Sequence, residues 1–451
     1  MKALLVIILL ALLGGCALLP ASDGGGTPSG VVTQQPDFRW VSDLGGSGLA
    51  ALVREAWRAN PDIQAALAAA ERARAQAVIS GAARLPEMQL GLNANRARTR
   101  LFDGHRIGDG FGLAAEVGWI PDLWGRAKAR YKAGLADAEA AAADVQAVRL
   151  LLAADVVKSW LRLHEAVLQL ALARQQSDNQ AATLEVIEER YRAGLEEALD
   201  VYLAKENLAT ARAAELAARQ KRDVAVRVLE TLLGRFPAGQ LEQQAELRAL
   251  PGAVPDDIDS RVLLRRPDIS AWQQRFIAAQ ARRDEAATNR FPTFSLTARG
   301  GTESARFADL LDWDNLVWSL AAGIVQPLFN GGRLRAEQLL AQAKARETLA
   351  NYASTVLRAL REVQTTLAAE SLLNARVALQ EEAATMATRA AELSLANYRA
   401  GLIDINALLT AQRRAFAARS ALLSTRLERL LNRVDLHLAI GGDFNMRGHE
   451  H

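Results

Sequence analysis

The chain has 451 residues with 54 basic and 51 acidic side chains, a net charge of +3, and it is 50% hydrophobic but only 5% aromatic. That apolar content excludes disorder, and the single cysteine, Cys16, excludes a disulfide framework or a Cys-based metal cluster. The basic residues interleave with Asp and Glu and form no tail, which argues against nucleic-acid binding. The five histidines lack ligand spacing, and no nucleophile elbow or phosphate loop occurs, so neither an enzyme nor a resident cofactor or metal is expected.

The N-terminus reads as an address. Met1-Lys2 precedes an apolar run that ends in Leu13-Gly14-Gly15-Cys16, the layout of a secretory signal over residues 1–15. Leu-Gly-Gly-Cys resembles the lipobox of bacterial lipoproteins, which implies a lipid on Cys16 as the mature N-terminus. A small buried Cys beside a plain signal is the competing reading. Ala17, where an Asp would favour inner-membrane retention, implies outer-membrane lipid as the destination. Residues 16–60 form an anchored N-terminal segment, and 21–48, rich in Gly, Ser, Thr and Pro, are expected to be an extended tether.

The rest of the chain says the same thing twice. Asn60-Pro61-Asp62-Ile63 recurs as Arg266-Pro267-Asp268-Ile269, and Leu85-Pro86 as Phe291-Pro292, both 206 residues on. After one extra Gly, Arg126 matches Arg333, and Tyr191-Arg192-Ala193-Gly194-Leu195 matches Tyr398-Arg399-Ala400-Gly401-Leu402, at 207. Repeat 1 therefore covers residues 61–233 and repeat 2 residues 267–441, joined by a linker over 234–266 and followed by a tail over 442–451. In each repeat a short helix precedes a Pro-free stretch, 126–193 or 333–400, long enough for a helix of roughly 100 Å. Gly194 and Gly401 then turn the chain into a second helical run, as an αα-hairpin. Leu349, Ala353, Val356, Leu360, Val363 and Leu367 follow the 4-3 spacing of a coiled-coil seam.

Period-two alternation lies between the short and long helices. Met88, Leu90, Leu92 and Ala94 alternate with polar or small residues, as do Phe111 to Trp119, Phe294 to Ala298, and Leu316 to Ile324. The segments 96–110 and 301–315 read as polar extracellular loops. Four such strands suit a transmembrane β-barrel, with a half-buried soluble sheet as the alternative. An open sheet cannot stand in lipid, and the smallest closed barrel has about eight strands, so the chain must oligomerise.

These motifs together resemble the TolC-like outer-membrane factor family, in its lipoprotein (NodT/OprM-type) branch, over residues 16–441. The resemblance implies a mainly α protein with a transmembrane β-barrel. Three chains would give four strands each to a 12-stranded barrel, and their antiparallel coiled-coil helices would form a periplasmic α-barrel. It implies a homotrimer docked on a periplasmic adaptor and an inner-membrane pump, without nucleic acid, acting as a passive exit duct for small molecules or drugs. A type I protein-secretion duct shares the fold and is the alternative function; a lipid-anchored coiled-coil spacer would not account for the duplicated strand pairs. The tips, with Gly194, Leu195, Gly401 and Leu402, would meet the adaptor. Tyr398 matches the family's gate tyrosine and Asp200 an acidic position beside it. Thr410 stands where the second repeat usually has a carboxylate, and Asp404 is the nearby substitute.

Overall fold

The computed structural model of the chain describes residues 38–101, 104–241, 254 and 260–443. The signal sequence, Cys16, most of the linker and the end of the tail lie outside the described residues. In chain order the elements are α1 (Arg39–Ala59), α2 (Pro61–Ala82), β1 (Glu87–Leu101), β2 (Gly104–Trp119), α3 (Arg126–Arg192) and α4 (Ala198–Leu232). The second repeat gives α5 (Pro267–Thr288), β3 (Thr293–Ser304), β4 (Leu316–Val325), α6 (Arg333–Arg399) and α7 (Ile405–Ala439).

Both long helices have 67 residues and begin at a glycine in the left-handed region, Gly125 and Gly332. α3 runs through Gly134 unbroken, and the glycine lets α2 approach closely: a Cβ there would lie 3.1 Å from Ala77 Cα of α2. α3 is the centre of a wall of helices, with α2 and α4 on one side and α5 and α7 on the other, and α6 packs beyond α5 and α7. The two short helices sit end-on over the two return helices. Asn60, the N-cap of α2, donates from Nδ2 to the carbonyl of Leu232 at the end of α4 (3.0 Å). Arg266, its repeat partner at the start of α5, donates from Nη1 to the carbonyl of Ala439 at the end of α7 (2.9 Å). One repeat position thus satisfies a terminal carbonyl of the neighbouring helix in both halves.

The main core joins α1 to this wall: Trp40, Leu44, Leu49, Val53 and Trp57 pack against Leu152, Val156, Trp160 and Leu163 of α3 and Leu229 of α4. The extended tether expected over 21–48 is corrected from Arg39 on, because Arg39 to Gly48 belong to α1, while 21–37 lie outside the described residues. Their apolar residues Trp40, Val41 and Leu44 are buried, and the helix is kinked at Gly46, φ 69°. The seam read on α6 divides: Val356, Val363 and Leu367 pack against α5 and α7, whereas Leu349 and Leu360 stay exposed.

The four strands form one antiparallel sheet in the order β1-β2-β3-β4, leaving β1 and β4 as unpaired edges. The expected loop over 96–110 is a second correction. Pairing continues from Arg96 opposite Asp109 to Leu101 opposite Gly104, because alternation of small and polar residues satisfies the ladder as well as apolar ones do. The other loop is shorter than expected: β3 continues to Ser304, and two single-turn 3-10 helices, Phe307–Asp309 and Trp313–Asn315, lead into β4.

The register separates two faces. One carries Met88, Leu90, Leu92, Phe111, Leu113, Val117, Trp119, Trp318, Leu320 and Ile324; the other carries Gln89, Asn93, Glu116, Arg299, Glu303 and Ser319. An apolar face against a polar one is the pattern of a strand set between lipid and an aqueous lumen. Among the described residues no helix is long and apolar enough to cross a membrane.

Candidate functional site

The far ends of the long helices carry the repeated tip motif. At the first tip Ala193 closes α3, Gly194 takes φ 72°, and the N–H of Leu195 donates to the carbonyl of Arg190 (2.9 Å). At the second tip Gly401 takes φ 73° and Leu402 N–H donates to the Asn397 carbonyl (2.9 Å). This is the Schellman ending, in which the residue after the helix must be left-handed and is therefore glycine. The turns leave Leu195 65% and Leu402 73% exposed, two large apolar side chains at the extremities of the molecule.

The return helices start at equivalent positions. Glu197 is the N-cap of α4 and forms a reciprocal capping box with Asp200, whose carboxylate accepts from the Glu197 N–H (3.2 Å). Asp404 caps α7 by accepting from the Ala407 N–H (2.8 Å). Desolvation and the neighbouring Glu196 carboxylate raise the Asp200 carboxyl above its ordinary value, against the opposing pull of the Glu197 N–H.

Between the tips lies a half-buried ionic contact that ties the second hairpin to the first. Tyr398 is only 2% exposed, packed among Ile187, Ala204, Ile405 and Leu408. Its hydroxyl donates to Glu196 Oε1 (3.0 Å), which also accepts from Arg190 Nε (2.8 Å), and the Arg190 guanidinium lies 5.3 Å from the Tyr398 ring centre. Burial and the hydrogen bond to Glu196 push the Tyr398 hydroxyl well above the ordinary phenol range, so it stays a donor.

The structure thus brings Tyr398 and Asp200 to a common neighbour, Glu196. Asp404 is exposed at the start of α7, and half-buried Thr410 accepts from Arg413 Nη2 (3.3 Å); neither contacts Tyr398. Two residues of the contact, Glu196 and Arg190, escape sequence reasoning because the repeat does not mark them. Their counterparts 207 residues on are Ile403 and Asn397. Tyr191, the counterpart of Tyr398, is accordingly 46% exposed. Among the described residues no group of His, Cys, Asp and Glu could hold a metal ion.

The sequence pattern of the family described as outer membrane efflux protein matches residues 52–235 and 259–442, two segments offset by 207 like the tip motifs. The pyoverdine export outer membrane protein OpmQ of Pseudomonas aeruginosa is 31% identical, covering 98% of this chain and 97% of its own. The cation efflux system protein CusC of Escherichia coli K12 is 26% identical over 95% of this chain and 97% of its own. The solved structure of the outer-membrane channel OprN superposes with a TM-score of 0.86 at 25% identity, covering 94% of this chain and 98% of that one. With its duplicated hairpins, four-stranded two-faced sheet and full-length likeness to these channels, the chain belongs to the outer membrane efflux protein family.

Proposed function

We propose that three copies of this chain form the passive exit duct of a tripartite efflux system, held in the outer membrane by a lipid on Cys16. The observation that carries the reading is the sheet: four strands with two free edges and one apolar face. Such a sheet leaves backbone groups unpaired in lipid unless β1 of one copy meets β4 of the next, and three copies then give twelve strands. A line of exposed apolar residues on α6, Leu372, Leu379, Met386 and Leu393 at seven-residue spacing, supports the same closure in the helical part. Exposed Tyr202 and Leu216 of α4 supply apolar surface on the opposite edge of the wall.

The exposed leucines at the two tips are the docking surface for the hairpin tips of a periplasmic adaptor, which links the duct to an energised inner-membrane pump. The Tyr398–Glu196–Arg190 contact, with Asp200 beside it, holds the tips together when no adaptor is bound. Asp404 acts as a cap and does not replace the carboxylate absent at Thr410. Small-molecule efflux is favoured over protein secretion by the relatives, one named for pyoverdine export and another for cation efflux. Cargoes of such different chemistry on one scaffold leave substrate choice to the pump.

Native mass measurement in detergent tests the assembly: a threefold species is expected, and a monomer that keeps its sheet in lipid would refute it. Mass spectrometry of the mature N-terminus tests the anchor, with a triacylated Cys16 expected and an unmodified Cys16 ruling the anchor out. Cysteines at Leu195 or Leu402 should cross-link to the adaptor tip.

A further inference from the structure

The apolar face of β1 does not end where the apolar residues end. Met88, Leu90, Leu92 and Ala94 point to one side, and the same period of two continues through Arg96, Arg98 and Arg100. Their cross-strand partners on β2 are Asp109, Ile107 and His105. Among the described residues only Arg96 meets an acid, loosely, at 3.5 Å from Asp109 and with 74% of its side chain exposed. Arg98 and Arg100 are also exposed and face an isoleucine and a histidine. The opposite, polar face holds Ala97, Thr99, Gly108 and Arg106 at this height.

The second hairpin has no such row. At the equivalent positions β3 carries Thr302 and Ser304, Arg306 is held by Asp309 (2.7 Å), and Arg299 lies on the polar face, paired with Glu303 (3.2 Å). The arginines are therefore a property of one hairpin and not of the repeat.

In the barrel reading proposed above, on which this inference rests, the apolar face meets lipid, and an arginine row that continues it meets the headgroup layer. Four residue steps at about 3.4 Å, tilted by about 40°, spread the row over roughly 10 Å of depth. Phe111 stacks edge-on against Phe307 (5.6 Å) where the apolar band gives way to the arginines, the position of an interfacial aromatic. Exposed guanidinium groups just above the hydrocarbon, with one loose ion pair among them, want a partner with several anionic oxygens, and phosphate matches their planar fork in a bidentate manner. The outer leaflet of an outer membrane supplies phosphate at that depth on its glycolipid. We infer that Arg96, Arg98 and Arg100 form a binding site on the lipid-facing side of the barrel for the phosphate groups of outer-leaflet lipopolysaccharide.

The test is native mass spectrometry of the full-length trimer in detergent, titrated with rough-type lipopolysaccharide, its dephosphorylated form and phosphatidylglycerol. Each arginine near an anionic headgroup contributes about fivefold in affinity. The triple variant Arg96→Gln/Arg98→Gln/Arg100→Gln should bind the phosphorylated glycolipid roughly a hundredfold more weakly than wild type, and Arg98→Gln alone about fivefold more weakly. Arg106→Gln, the same charge change at the same height on the polar face, should bind like wild type, and the dephosphorylated form should bind as poorly as the triple variant does. Unchanged binding by the triple variant, equal loss in Arg106→Gln, or phosphatidylglycerol binding as tightly as the glycolipid would each overturn the assignment. The same spectra report the trimer: its absence from wild type would overturn the barrel reading, whereas an intact trimer with indifferent arginines overturns this site alone.

Discussion

Glu196 accepts two hydrogen bonds on one oxygen, from buried Tyr398 of the second hairpin and half-buried Arg190 of the first. Hydrogen bonds to a charged group contribute about 2 kcal/mol each, so Glu196→Leu should shift the closed–open balance by roughly thirtyfold or more per protomer. Single-channel conductance in planar bilayers is the check, with the trimer intact. The Asp200 carboxyl gives this contact a pH dependence. Its value is raised in the folded tip, chiefly by desolvation, so the folded state binds a proton more readily than an extended chain does. Tip closure should therefore strengthen as pH falls into the range just above the ordinary Asp value and weaken as it rises out of it. Asp200→Asn, which keeps the cap acceptor, should flatten that dependence; an unchanged conductance–pH curve in the variant would remove Asp200 from the gate. Tyr398 and Asp200 were legible as candidates in the sequence, because one sits in a duplicated motif and the other at an acidic position of the family it resembles. Glu196 and Arg190 were not, because their repeat counterparts are Ile403 and Asn397, and an asymmetric contact leaves no trace in a periodicity.

At the scale of elements, glycines and breakers told most of the story, and polarity misled where it did. The tips were legible because a left-handed residue between two Pro-free runs has to be glycine. Gly401→Val forces a β-branched residue to φ 73° and should cost about 1–2 kcal/mol at the tip, abolishing efflux in a susceptibility assay while the trimer persists. The hairpin over 96–110 was misread because arginines and glycines resemble a loop, whereas a strand needs only paired backbone. The N-terminal helix was missed because its glycines at 45, 46 and 48 interrupt a helix with seven buried apolar residues. That helix is fastened at its start to the end of α7: Asp443 accepts from the Trp40 N–H (2.9 Å), and the Trp40 indole stacks on His437 at 5.3 Å. Burial, aided by the charge of Arg433, pushes His437 down to about 4 despite its hydrogen bond with the Gly442 carbonyl. The packing is thus at full strength above the ordinary histidine value of 6.5 and is lost as the pH falls from there toward 4, a change of roughly 3 kcal/mol. Tryptophan fluorescence should report this transition, and His437→Phe should abolish it.

The whole molecule is a wall of helices with exposed apolar surface on α6 and α4, and a sheet with unpaired edges at β1 and β4. α6 has neighbours on one flank only, yet it carries Leu372, Leu379, Met386 and Leu393 in one heptad position away from them. An apolar line of that kind in water is an interface waiting for a partner. Its spacing calls for a helix running alongside, and in the proposed trimer α4 of a second copy would supply it. Burying one Leu or Met side chain contributes about 2 kcal/mol, and threefold symmetry applies every substitution to three interfaces at once. Leu379→Ala should therefore lower the trimer's thermal midpoint without dissolving it. Leu379→Glu with Met386→Glu places unpaired carboxylates in the seam and should yield monomers at micromolar concentration, read by sedimentation. The helical circular dichroism of those monomers should stay close to wild type, because α6 remains packed on α5 and α7 through Val356, Val363 and Leu367. A double variant that still sediments as a trimer would mean that the strands alone close the assembly and that the leucine line faces something other than a second copy.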